Sequence, residues 1–374
     1  MKLDRKVPLA RRMALRDRAR FLMTAGGVGF AVMLMTFLGG VYEGVERGAT
    51  RYIADSPTAI WACESNASNL LRGSSFLEPE DREELSAVPA IKEVSSLLRV
   101  FTRAGIRGRQ TTLLMFGVDP SSDLGLPRRI VQGTRTIGPR ELILDRAFAA
   151  KNGFKPGDSL VIKNREFRVA GISEGTNAVI IQFMFSGLAD AQELLGLGEV
   201  ASSYLLTLKD GYGPASVLRD LNERFPLMSF YSKEEFIRNN KDELKAGVLP
   251  IFWTIAVLGA AIGSAVIALM LYGSVLEHRE EYALLKSIGA RQKGLAYLVI
   301  RQSVLASVVG FAFGLLAAWL LKPILLWLVP EFAFALRIET VLLILAASLF
   351  AGLAGSWAPI RKLGRIYPME VFKG

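Results

Sequence analysis

The chain has 374 residues, 51% of them apolar, with one cysteine, one histidine and a formal net charge of +10; its mean hydropathy is positive, +0.33. A single cysteine, Cys63, excludes an internal disulfide, and a single histidine, His278, excludes His-rich zinc chemistry. The basic surplus does not indicate a nucleic-acid binder, because the largest polar segment, residues 44–246, holds 26 basic and 26 acidic side chains.

The surplus sits instead in residues 1–20 (eight basic, two acidic), 274–295 (four and three) and 360–374 (four and one). Four stretches carry no charge: 21–42, 246–276, 302–321 and 340–360. Each has at least about the 20 residues a helix needs to cross a bilayer. Four crossings put the three basic segments on one side, and positively charged loops stay cytoplasmic. The expected fold is therefore an integral membrane α-helical protein with four transmembrane helices. A large extracytoplasmic α+β domain is inserted between helices 1 and 2. Both termini are expected inside a bacterial-type inner membrane.

In chain order, residues 1–20 read as a basic amphipathic helix on the membrane surface, with Arg11, Arg12, Arg16, Arg18 and Arg20 facing anionic headgroups. The same arginines would serve topology without any helix. Residues 21–43 are the first crossing. Its length exceeds a typical signal-peptide apolar region, and no clean cleavage site follows.

Residues 44–246 alternate short β-type runs (113–118, 141–144, 159–163, 166–171, 204–208) with helical patterns (78–87, 146–152, 189–195, 215–225). Lys155-Pro156-Gly157-Asp158 reads as a turn. The domain holds no HExxH, no GxSxG and no histidine, so no catalytic set is expected in it. Cys63 is expected to be a half-buried structural thiol. Residues 232–245 continue as a helical stalk into the second crossing, 247–275, where Pro250 is a candidate kink.

Residues 276–293 form a connecting helix or loop, 294–322 the third crossing, 323–338 a short outer loop, 339–360 the fourth crossing and 361–374 a tail. Gly310 and Gly314 have the spacing of a helix-packing motif, whose partner is either a second copy across a dimer seam or a neighbour in the same chain. Arg301 lies near the inner edge of its crossing, where snorkelling accounts for it. No crossing holds a central acidic residue of the kind ion relays need.

The connecting segment reads EHREEYALLKSIGA over 277–290. As a helix it puts Tyr282, Leu285 and Ile288-Gly289 on one face with Leu284 flanking, and Gly289 supplies a stop. A rigid handle for a partner protein and an ordinary charged loop in the headgroup zone fit this pattern equally. The segment resembles the coupling segment of FtsX/MacB-type ABC transporter permeases (type VII ABC architecture), written roughly ERRREIALLRALGA. Glu277, Arg279, Glu281, Ala283, Leu284, Leu285, Gly289 and Ala290 match; His278 and Glu280 replace arginines, making the surface less positive. GPRELILDRAFAAKNGFKPGDSLVI (138–162), FRVAGIS (167–173) and the closing APIRKLGRIYPMEVFKG resemble further parts of the family. The opening KVPLARRMALRDRARFLMTAGGVGFAVMLMTF looks most like its DevC-like stand-alone branch. Gln302 stands where many members have glutamate.

The resemblance implies a permease subunit that does no catalysis. ATP and Mg²⁺ would be bound by a partner ABC ATPase in two copies, because the nearest approach to a phosphate loop, Gly289-Ala290-Arg291-Gln292-Lys293-Gly294, continues with Leu295 and lacks Gly-Lys-Ser/Thr. It implies a second permease (homo- or heterodimer), a periplasmic adaptor or membrane-fusion protein as a further partner, and mechanotransmission rather than a pore. It assigns ATPase coupling to Glu277, His278, Arg279, Glu281, Tyr282, Leu284, Leu285, Lys286, Ile288, Gly289 and Ala290. The second reading is FtsX-like signalling to a cell-wall hydrolase; an outer domain of about 200 residues favours transport.

Overall fold

The computed structural model describes residues 18–65, 67–70, 75–106, 109–177, 182–328 and 334–364. It divides into two compact units, one of Met1–Glu43, Pro250–Leu325 and Phe334–Gly374, the other of Gly44–Leu249 and Leu326–Ala333.

Among the described residues four helices are long and apolar enough to cross a membrane: α1 (Arg18–Asp55), α6 (Lys233–Glu277), α8 (Gln292–Leu328) and α9 (Ile338–Gly364). Arg11, Arg12 and Arg16 lie outside the described residues; Arg18 and Arg20 begin α1. α1 extends twelve residues past the expected end of the first crossing. α8 runs through Pro323, and α9 runs through Pro359 to Gly364. Proline is tolerated inside membrane helices because neighbouring groups satisfy the carbonyl it strands.

The bundle is sewn together by small residues. Val28 and Val32 of α1 fill the notch at Gly310 and Gly314 of α8: a Cβ added at Gly310 would stand 2.7 Å from Val28 Cβ, and at Gly314 2.7 Å from Val32 Cβ. Within the chain the motif thus packs against α1. Gly352 of α9 lies against Ser303 and Ser307 of α8, and Gly355 against Ile267 of α6. The Ser303 hydroxyl donates to the Gly352 carbonyl. At the other end of α1, the buried Glu43 carboxylate accepts the Arg337 amide at 2.6 Å and the Thr340 hydroxyl. A carboxylate from one helix thereby caps the start of α9, where the helix dipole favours negative charge.

The second unit carries β1 (Ile60–Glu64), α2 (Pro79–Ser86), β2 (Ile91–Ile106), β3 (Arg109–Val118), β4 (Ile130–Gly133), β5 (Glu141–Asp145), α3 (Arg146–Asn152), β6 (Ser159–Ile162), β7 (Arg165–Ser173), β8 (Gln182–Gly187), α4 (Leu188–Leu195), β9 (Ser203–Leu208), α5 (Pro214–Arg224) and β10 (Met228–Ser232). Its strands form one mixed sheet in the order β10-β1-β9-β2-β3-β8-β5-β7-β4, with β6 joining β2 and β7. β2, β3, β8, β5, β7 and β6 therefore pair in a closed ring, shut by the Ala104–Ile162 pairing. β6 stops one residue short of the expected 163. Lys163 and Asn164 have φ of 45° and 63°, the two-residue hairpin turn that requires positive φ at both positions.

Local chemistry explains the helices that sequence places well. The Asp145 carboxylate accepts the Ala147 amide and the Thr176 hydroxyl at the start of α3, and Gly153 closes the helix at φ 75°. The outer unit grips both helices that belong to it and to the bundle. Tyr52 of α1 stacks on Phe116, and Phe236 of α6 stacks on Trp61; Asn240 of α6 is buried and accepts the Leu70 amide. Lys241 pairs with the buried Glu46 at 3.3 Å, tying α6 to α1 within this unit. Cys63 is fully rather than half buried, against Ser203 at 3.3 Å, because β1 lies between β10 and β9 inside the sheet.

Candidate functional site

The connecting segment folds as α7 (Arg279–Ser287), a separate nine-residue helix joined to α6 by the single residue His278. His278 leaves the helical path of α6 (ψ 22°) and its ring nitrogen meets the Ser274 carbonyl at 2.9 Å. The far end is a Schellman closure. The Ala290 amide donates to Leu285 and the Gly289 amide to Lys286, with Gly289 at φ 93°. Among the described residues nothing lies within 4 Å of a Cβ added at Gly289, and its φ of 93° gives the need for glycine there a conformational ground.

Inward, α7 buries Tyr282 and Ala283 in a cluster with Val275, Leu295, Val299 and Leu363, and half-buries Leu285 and Ala290. Burial pushes the Tyr282 hydroxyl up to about 12. Lys286 turns inward too: its ammonium donates to the Leu363 carbonyl at 2.8 Å, at the last turn of α9. The same polarity logic that places cations at helix C-termini operates here between two helices.

Outward, Glu277, Glu280, Glu281, Leu284, Ser287 and Ile288 are exposed, with Leu284 at 55% and Ile288 at 73%. This corrects the expected face of Tyr282, Leu285 and Ile288. With Tyr282, Ala283 and Lys286 turned in, the helical period carries Leu284 and Ile288 to the opposite side, as one apolar stripe flanked by carboxylates. Arg279 is exposed in the first turn. Of the residues assigned to coupling, the structure thus divides an anchor (Tyr282, Leu285, Lys286, Ala290) from a ridge (Glu277, Glu281, Leu284, Ile288). Ala283, matched but given no role by sequence, is the most deeply buried of the helix at 0%; only the pattern match itself pointed to it.

Elsewhere in the bundle, the Arg301 guanidinium lies 5.7 Å from the Tyr297 ring, and Gln302 is buried.

Two family models match the chain: the MacB-like periplasmic core domain over residues 21–224 and the FtsX-like permease C-terminal over residues 253–368. A probable export ATP-binding/permease protein of Pseudomonas fluorescens is 22% identical over 387 residues, covering 94% of this chain and 58% of that protein. An uncharacterised ABC transporter permease of Mycobacterium tuberculosis is 24% identical over 372 residues, covering 96% of this chain and 99% of that one. The chain thus spans just over half the length of the first relative and nearly all of the second. The crystal structure of the periplasmic region of MacB from Actinobacillus actinomycetemcomitans matches 49% of this chain and 92% of that one, at 15% identity and TM-score 0.40. With its outer domain between the first two of four membrane-crossing helices, the chain belongs to the FtsX/MacB-type family of ABC transporter permeases.

Proposed function

We propose that this chain converts ATP-driven closure of a separate pair of ATPase subunits into movement of its outer domain. That movement drives export or extraction of a substrate from the outer face of the inner membrane. The ATPase docks on the Leu284–Ile288 ridge on the cytoplasmic side, and two permeases work as a pair. ATP and Mg²⁺ are held by the partner.

The observation that supports this reading is α6. It runs from Lys233 to Glu277 with Pro250 inside it. It buries Phe236 and Asn240 in the outer unit and Ile267, Leu271 and Val275 in the bundle. It then meets the ridge helix after one residue. A displacement of α7 reaches α6 through the single residue His278. The anchor of α7 in its own bundle, through Tyr282, Ala283 and Lys286, makes the ridge a stiff lever rather than a tethered peptide.

The experiment is a distance measurement on the permease–ATPase complex in proteoliposomes. A spin label is placed at the exposed Glu223 by Glu223→Cys, and distances between the paired permeases are read with and without ATP plus vanadate. The reading predicts a nucleotide-dependent shift that disappears in Leu284→Asp. Identical distributions in all nucleotide states contradict it.

A further inference from the structure

On the outer unit, β2, β3, β6 and the β6–β7 turn line an open cleft of about 680 Å³. Such a volume falls in the range of small-molecule sites, roughly 300–1,000 Å³. We infer that this cavity binds a small amphiphile carrying one anionic group, a carboxylate or a phosphate, on an apolar body.

The lining divides into two chemistries. Phe101 of β2 and Val161 of β6 are each half exposed, an apolar pair left uncovered on the outer surface of an otherwise well-packed ring. Arg103 stands in the same strand two residues from Phe101, so both side chains leave the same face of β2. Among the described residues the Arg103 guanidinium has no hydrogen-bond or ion-pair partner, and none of the described lining residues is acidic. Most other arginines of this unit are engaged: Arg99 donates to Leu70, Arg135 pairs with Asp123, Arg140 with Glu193 and Arg146 with Glu174.

Lys163 and Asn164, held at the rim by the positive-φ turn, add a second cation and an amide, and Thr112 adds a hydroxyl. The Lys163 ammonium spends one donor on the Leu194 carbonyl at 2.9 Å, which fixes its position beside the cavity. Behind the wall, the Thr102 hydroxyl is buried without a partner among the described residues. An arginine at a cleft whose described lining holds no acid, with an aromatic and a branched aliphatic wall, suits an anion whose tail needs burial, because the charge supplies directional hydrogen bonds and the wall supplies area. A bare anion leaves Phe101 and Val161 wet; a neutral amphiphile makes no use of the exposed Arg103 charge.

The test uses the full chain in lipid nanodiscs, with an environment-sensitive fluorophore on Glu166→Cys. Glu166 is exposed, pairs across the hairpin with Val161 and does not line the cavity. Labelling is selective because Cys63 is buried and burial pushes its thiol up to about 11. Octyl phosphate, octanoate, octanol and inorganic phosphate are titrated in parallel. The inference predicts saturable responses to octyl phosphate and octanoate. Octanol and inorganic phosphate should bind at least about tenfold more weakly, and Arg103→Ala should weaken both anionic amphiphiles at least about tenfold. Arg103→Lys should recover part of that loss, which separates charge from a folding defect. No saturable response, octanol or inorganic phosphate as potent as octyl phosphate, or an unchanged midpoint in Arg103→Ala each overturns it. The outcome is independent of whether an ATPase docks on α7.

Discussion

Lys286 and Leu363, 77 positions apart, are joined by a 2.8 Å hydrogen bond from the ammonium of one to the carbonyl of the other. It fastens the connecting helix α7 to the last turn of the fourth membrane helix, beside the packed Tyr282 and Ala283. A charged donor to a half-buried carbonyl contributes roughly 1.5–3 kcal/mol, less where water reaches it. Lys286→Met is predicted to lower the unfolding free energy of the purified chain by about 1–2 kcal/mol, with Lys286→Arg close to the parent. Thermal unfolding in detergent reads this. Equal melting of Lys286→Met and parent would show that the bond carries no weight.

Gly314→Ala is predicted to destabilise the chain, although alanine outside any close contact would favour a helix by about 1 kcal/mol. The added methyl would meet the Gly29 backbone carbonyl as well as Val32, and backbone cannot yield as a side chain can. The expected net loss is about 1–3 kcal/mol. Gly310→Ala should be partly rescued by Val28→Gly, which removes the two nearest atoms, Val28 Cβ at 2.7 Å and Cγ1 at 2.8 Å. If Gly314→Ala instead left stability intact and only split a dimer, the notch would face a second copy after all.

Asp145 sets a pH dependence. Burial raises its pKa above the usual aspartate value, against the lowering effect of the Ala147 and Thr176 hydrogen bonds. Because the folded value lies above the unfolded one, about 3.9, its contribution to stability is fully present below that pH. The contribution is lost as pH rises through the raised folded value. Asp145→Asn has no such proton to release. The stability difference, variant minus parent, is therefore predicted to grow in the variant's favour over that window and then level off. Melting curves at a series of pH values test it, and a difference constant with pH contradicts it.

Much of the architecture is legible in sequence where local rules agree with tertiary structure. The helix at 146–152 is bracketed by the Asp145 cap and the Gly153 stop, and the uncharged stretches announce the four long helices. β8 was not legible, because all six of its residues are buried and it shows no alternation; it runs parallel to β3 inside the sheet. β2 is obscure in the sequence for a related reason. It pairs with β3, β9 and β6, so its pattern answers to several neighbours. In the candidate site, Gly289 and the helix itself were legible from the period and the stop. The facing of α7 was not, since it turns on Ala283, too small to signal a core, and on a carbonyl 77 residues from Lys286. That facing decides the choice of probe. Leu285→Asp would damage the half-buried anchor, whereas Leu284→Asp and Ile288→Asp alter only exposed positions.

The most direct measurement is therefore co-purification of the chain with its genome-neighbour ABC ATPase, comparing the parent, Leu284→Asp, Ile288→Asp and the outer-domain control Glu223→Lys. The account predicts that both ridge variants melt like the parent yet lose the ATPase and its stimulated hydrolysis at least about tenfold, while the control retains both. Retention of the ATPase at parental levels by the ridge variants would contradict docking on α7 and the transmission argument built on it.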